Sequence, residues 1–240
     1  MIELCTLTGV DESVSSQCLE SISDEFSFVE WGVLYSPNLS GSGRQNRYPS
    51  LKKIVSIFED ANPCQNLSLH VCGRGIHEVM NPKAAALQEI IQIIKRNGWR
   101  VQFNLNQKRF VDDQSLFETF KNYLRLNFSN TEFITQFSAS TKSLNGYFEA
   151  FNTHVYLYDG SGGRGVSPDK WFPPLPGKRC GYAGGLGLDN IKDELIDIKR
   201  VADNAPVWID MESSLRDRND NFDPFVCMKI LEDVSKYIKP

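Results

Sequence analysis

Short apolar runs alternate with helix-patterned stretches along the whole chain. Eight runs read as strands, at 3–7, 29–35, 67–71, 100–105, 132–137, 154–158, 180–183 and 207–211. They are rich in Val, Ile, Leu and aromatic residues, as strands buried on both faces should be. Between them, apolar residues recur at helical spacing. Leu51, Ile54, Val55 and Phe58 follow Ser50, and Leu144, Tyr147, Phe148 and Phe151 repeat the pattern. Leu87, Ile90, Ile91 and Ile94 form one face of a helix expected to start at Asn81-Pro82 and to stop at Gly98. A last helix is expected from Asp223-Pro224, burying Cys227, Ile230, Leu231 and Val234. The segment after the sixth strand, SPDKWFPPLPGK, carries too many prolines for a regular helix.

Eight strands alternating with about seven helices predict a parallel sheet, and eight strands are enough to close one. The expected fold is therefore a single (β/α)8 barrel over residues 1–240 with a degenerate sixth helix. The competing architecture is an open doubly wound sheet. It would be favoured by an early Gly-x-Gly-x-x-Gly after the first strand, which this chain lacks. In a barrel the active site lies at the C-terminal ends of the strands, and that rule selects the residues worth weighing.

Composition narrows the function. The chain has 240 residues, 41% hydrophobic and 23% charged, with a net charge of −4. No dense Lys/Arg run points to a nucleic acid, and no apolar stretch is long enough to span a bilayer. The N-terminus lacks the basic start and apolar core of a signal peptide, so a cytoplasmic protein is expected. The six cysteines show no C-x-x-C spacing, which argues against zinc or redox motifs. The three histidines make no convincing ligand set, so no metal is expected. Lys108 and Lys142 fall in loops, away from the strand ends where a Schiff-base lysine would sit.

Several residues near strand ends can carry chemistry. Cys5, on the first strand, is either a base facing the mouth or a small core residue. Asp159 ends the sixth strand and opens a glycine-rich loop, so it is either a proton donor or a turn-forming aspartate. Gly184 and Gly185 follow the seventh strand, and Ser213 and Ser214 follow the eighth. Two small-residue loops at these strands favour a phosphate site built from backbone N–H groups and hydroxyls. Arg44 and Arg47 lie in the loop after the second strand, where a guanidinium can grip a carboxylate. His70 ends the third strand and His77 follows it.

Taken in order, these residues resemble phosphoribosylanthranilate isomerase. Ile2-Glu3-Leu4-Cys5-Thr6-Leu7-Thr8 is similar to that family's opening strand, and Ser36-Pro37 with Arg47-Tyr48 to its second loop. Val101-Gln102-Phe103-Asn104, Tyr158-Asp159 with Gly162-Gly163-Arg164-Gly165, Ala183 to Leu186 with Asn190, and Asp210 with Ser213 match its later motifs. Departures are Glu3 for lysine, Thr6 for glycine, Asn104 for histidine, Arg216 for glutamate, and a longer second loop.

The resemblance implies an Amadori rearrangement of a phosphoribosyl amine to an aminodeoxyribulose 5-phosphate, as in tryptophan biosynthesis, without a cofactor. It makes Asp159 the general acid and Cys5 the general base. Arg47, Gln102 and Asp210 would contact the substrate, with Arg47 on the anthranilate carboxylate. Gly163, Gly184, Gly185, Ser213 and Ser214 would hold the phosphate. The partner is thus a phosphorylated small molecule, with no nucleic acid or membrane. A different phosphosugar, or a phosphate ligand bound without turnover, fits the same loops.

Overall fold

The structure, a computed structural model, describes residues 1–43, 45–105, 113–138, 141, 146–160, 165–203 and 205–238. Its eight strands are β1 (Ile2–Thr8), β2 (Val29–Tyr35), β3 (Asn66–Cys72), β4 (Arg100–Asn104), β5 (Phe133–Phe137), β6 (His154–Asp159), β7 (Cys180–Ala183) and β8 (Val207–Met211). All pair in parallel, and β8 closes onto β1. Around them run α1 (Ser16–Glu25), α2 (Leu51–Asp60), α3 (Gly75–Val79), α4 (Ala85–Asn97), α5 (Gln114–Asn127), α6 (Ile191–Ala202) and α7 (Pro224–Ser235). The chain is thus a (β/α)8 barrel.

Side chains alternate across each strand, and the alternation sorts the core into two layers. Outward-facing Leu7, Trp31, Val33, Val101, Phe103 and Tyr182 pack under the helices with Ile54, Ile91, Leu195 and Leu231. Inside the barrel, a separate cluster of Ile134, Val155, Leu157 and Trp208 fills the middle. The indole of Trp208 needs Gly181 beside it, because a Cβ there would lie 2.1 Å from the ring.

Below that plug the interior is ionic. Arg100 donates from Nε to Glu30 Oε1 at 2.7 Å and from Nη2 to Oε2 at 2.5 Å, and Thr6 donates to Oε2 at 2.8 Å. Burial raises the Glu30 pKa, but Arg100 and the Thr6 hydroxyl outweigh it and hold the carboxyl below its usual range. The guanidinium carbon also lies 4.5 Å from the Trp208 ring centroid, a cation–π contact.

Local signals explain most helix ends. Ser50 Oγ accepts from Lys53 N at the start of α2, and Asp223 Oδ1 accepts from Phe225 N and Val226 N ahead of α7. Gly98 closes α4 at φ +70°, a conformation suited to glycine. The start of α4 differs from expectation. Asn81 Oδ1 accepts from Lys83 N, and the Asn81 carbonyl accepts from Ala84 N, so Asn81-Pro82 form a separate turn and the helix begins at Ala85. Between β5 and β6, the described residues hold only a 3-10 turn, Gly146–Phe148, where a helix was expected. Leu144 of that pattern lies outside the described residues. Residues 165–179, leading into β7, hold no helix. They are tied down instead by Tyr182 Oη donating to the Phe172 carbonyl at 2.7 Å and Trp171 Nε1 donating to Glu194 at 2.7 Å.

Candidate active site

The last inward-facing positions of the strands form the mouth, a cavity of about 120 Å³ open to solvent. Thr8, Asn104, Gln136, Asp159, Ala183 and Asp210 stand at its rim, and His70 and Gln102 lie one layer deeper. The register pairs Asp159 with Ala183 and Ala183 with Asp210. The two carboxyls, on β6 and β8, therefore flank the small Ala183 in register.

Their surroundings differ. Asp159 is buried and takes a 3.5 Å contact from Gln136 Nε2. Asp210 is buried against β1, where its Oδ1 accepts from Thr8 Oγ1 at 2.7 Å. Burial raises the Asp210 pKa well above the usual carboxylate value. The Thr8 hydrogen bond opposes this, and the nearby Glu212 and Glu30 charges add to it.

Three rim loops are joined to one another. Gly184 and Gly185 have φ of +116° and +64°. At Gly185 a Cβ would lie 2.1 Å from the Ser167 nitrogen, so the loop after β6 packs directly on this backbone. Asn190 Nδ2 donates to the Gly185 carbonyl at 2.9 Å and to Ser167 Oγ at 3.2 Å, while its Oδ1 accepts from Gly187 N at 2.9 Å. Ser214 Oγ donates to the Leu186 carbonyl at 2.6 Å, linking the loops after β7 and β8. Gly165 lies against Ser213, an exposed residue at the rim.

Of the residues singled out from the sequence, Asp159, Gln102, Asp210, Gly184, Gly185, Ser213 and Ser214 come together around this cavity. Gly163 and Arg44 lie outside the described residues.

Two expectations need correction. Cys5 does not face the mouth. Thr6 and Thr8 point into the barrel, so Cys5 points outward into the apolar layer beneath the helices, fully buried with Cys227. Burial, with a smaller contribution from Asp210, pushes its thiol far above the ordinary value. Arg47 is near the rim but already engaged. It donates to Glu212 at 2.6 Å and to Asp220 at 3.2 Å, so the chain's own carboxylates occupy the fork expected to take a substrate carboxylate.

Sequence reasoning passed over Thr8, Gln136, Glu212 and Cys72. Cys72 shares the inward face of β3 with His70 and accepts from Asn104 Nδ2 at 3.1 Å. Burial raises its thiol to about 11, against the hydrogen bonds with Asn104 and Tyr48. Counting by twos along β1 and β3 would have found Thr8 and Cys72.

A closed parallel barrel with carboxyls and glycine loops on one rim places the chain in the class of (β/α)8 barrels. No protein-family model matches the chain, and no curated protein matches its sequence. Among solved structures, TrpF from Jonesia denitrificans is similar at 14% identity and TM-score 0.59, covering 97% of this chain and 96% of that one. A phosphoribosyl anthranilate isomerase in complex with reduced 1-(O-carboxyphenylamino)-1-deoxyribulose 5-phosphate is similar at 12% identity and TM-score 0.54, covering 98% and 100%. A DUF72 family protein from Thermotoga maritima is similar at 11% identity and TM-score 0.51, covering 99% of each chain. At these identities the likeness is one of fold.

Proposed function

We propose that the chain is an isomerase that moves protons on a phosphorylated sugar derivative, with phosphoribosylanthranilate the first substrate to test. The observation that carries this reading is the pair Asp159 and Asp210, register partners through Ala183 that line one cavity beside the Gly184–Gly185 loop. An Amadori rearrangement needs two proton transfers. A donor protonates the ring oxygen as the C1–O bond breaks and the amine lone pair forms C=N. An acceptor then removes the C2 proton, and its electron pair forms the C1=C2 enolamine, which tautomerises to the ketone.

Asp210 suits the donor role, because burial raises its pKa and so strengthens its hold on a proton. Asp159 then takes the C2 proton. This exchanges the role the family resemblance gives Asp159, since Cys5 lies outside the mouth. The phosphate would sit against the backbone of Gly184, Gly185 and Ser213. That an isomerase of the same fold holds a ribulose 5-phosphate derivative supports a phosphorylated ligand.

The test is loss of substrate fluorescence when purified protein meets phosphoribosylanthranilate. Turnover abolished by Asp159→Asn supports the reading, and no turnover by the native chain sinks the named substrate. A hydroxyl, Thr8, stands at the β1 rim where the resemblance puts a thiol. This favours, as the second reading, another phosphosugar on the same carboxyl pair.

A further inference from the structure

The deep end of the mouth holds two polar atoms whose hydrogen bonding is unfulfilled. His70 on β3 and Gln102 on β4 are register partners, only 1% and 2% exposed, and both line the cavity. His70 Nε2 and Gln102 Oε1 are buried and have no hydrogen-bond partner among the described residues. Buried polar atoms are nearly always paired, because leaving one unpaired forfeits its solvation. Two on neighbouring strands, aimed into one cavity, indicate a third group between them.

The local bonding defines that group. Gln102 Nε2 donates to Asn104 Oδ1 at 2.9 Å, which fixes the amide and turns Oε1 out as a pure acceptor. Asn104 is itself engaged, donating to Cys72 Sγ at 3.1 Å. Burial lowers the His70 pKa to about 4, with Glu30 opposing and Arg100 adding to the effect, so the imidazole is neutral. A carboxylate or phosphate oxygen would meet the lone pairs of Gln102 Oε1 and gain no positive charge from His70. With the imidazole proton on Nε2, a hydroxyl satisfies both atoms: its O–H donates to Gln102 Oε1, and its oxygen accepts from His70 Nε2–H.

We propose that His70 and Gln102 form a hydroxyl-binding floor that orients a phosphorylated polyol, its hydroxylated carbons down and its phosphate up at the glycine loops. This rests on the phosphate reading given above. It makes His70 a specificity-determining residue that reads one hydroxyl of the sugar.

The experiment is calorimetric titration of the full chain with ribose 5-phosphate and with ethyl phosphate, a phosphate monoester with no hydroxyl. The native protein should prefer ribose 5-phosphate by about tenfold or more. His70→Phe and Gln102→Met should each cut that preference by about threefold to tenfold, the worth of a neutral hydrogen bond. The native preference needs no variant, so it stands as a test even if His70→Phe fails to fold. An unchanged preference in folded variants, or no preference in the native protein, overturns the floor. If ethyl phosphate fails to bind while ribose 5-phosphate binds in a His70-dependent way, the floor stands and the phosphate rim falls. If neither ligand binds, both fall.

Discussion

Thr8 Oγ1 donates to Asp210 Oδ1 at 2.7 Å across the seam where β8 closes onto β1. That hydrogen bond is the main influence working against the burial that raises the Asp210 pKa. The folded-state pKa lies above that of the unfolded chain, so between the two values the folded protein holds the extra proton. Stability from this group is complete below the unfolded value, near 3.8, and is lost as pH rises through the folded value. Asp210→Asn should remove this downward slope. Thr8→Val should carry it to higher pH, because the opposing hydrogen bond is gone. Urea unfolding of the three proteins across the pH range measures both effects.

The buried histidines act in the opposite direction. Burial lowers the His70 pKa to about 4 and the His154 pKa to about 3, both below the unfolded value of 6.5. Below pH 6.5 the unfolded chain gains protons that the folded chain refuses, so stability falls as pH falls. Each group contributes at most about 1.4 kcal/mol per pH unit. His154→Gln keeps a polar atom facing Thr135, its 2.8 Å partner, and removes one titrating site. The acid limb of its stability profile should be shallower than that of the native chain by about that amount. An identical limb would show that His154 is protonated equally in both states.

Gly185 tests the rim. Its φ of +64° costs an L-residue about 1–2 kcal/mol, and a Cβ would lie 2.1 Å from the Ser167 nitrogen. Gly185→Ala must therefore push the loop after β7 away from the loop after β6. The expected result is a loss of inorganic phosphate affinity of about tenfold or more, with a native far-ultraviolet dichroism spectrum, since the contact lies outside the strands. Unchanged phosphate affinity in a folded variant would move the anion site elsewhere.

The barrel was legible because its outward face is mostly apolar or aromatic at every second position, as in Leu67, Leu69 and Val71 of β3. Each of the eight strands falls within one or two residues of where these runs predict it. The site was half legible. Asp159 and the glycine loops sit where strand ends meet small residues, and a strand end is visible in sequence. Cys5 was misplaced because its motif position outweighed its parity. Thr6, Leu7 and Thr8 alternate polar, apolar, polar, which assigns Cys5 to the outward face of Leu7. Arg47 was beyond reach for a different reason. Its partner Glu212 lies 165 residues along the chain, and no local pattern reports such a pairing. The separate turn at Asn81 shows a third limit, a side chain competing with the helix for its first N–H groups.

Cys5 and Asp159 together separate the structural assignment from the one the family motif suggests. The motif makes the thiol the base, so Cys5→Ala should abolish turnover. The structure buries the thiol among the side chains that hold the helices to the barrel, and a thiol with so high a pKa supplies no thiolate. Cys5→Ala should therefore leave kcat within about twofold and appear instead as a loss of stability of about 0.5–3 kcal/mol, the usual cost of trimming a packed side chain. Asp159→Asn should do the reverse. Its carboxyl lines the cavity, so its loss should cost about 10²–10⁴ in kcat with little change in unfolding midpoint. Asp210→Asn should match it in rate, because the two proton transfers need both groups. Fluorescence turnover assays with phosphoribosylanthranilate, run beside urea unfolding on the same preparations, give both readouts. A folded Cys5→Ala protein with its turnover abolished would return the thiol to the chemistry and remove Asp159 from the role of base.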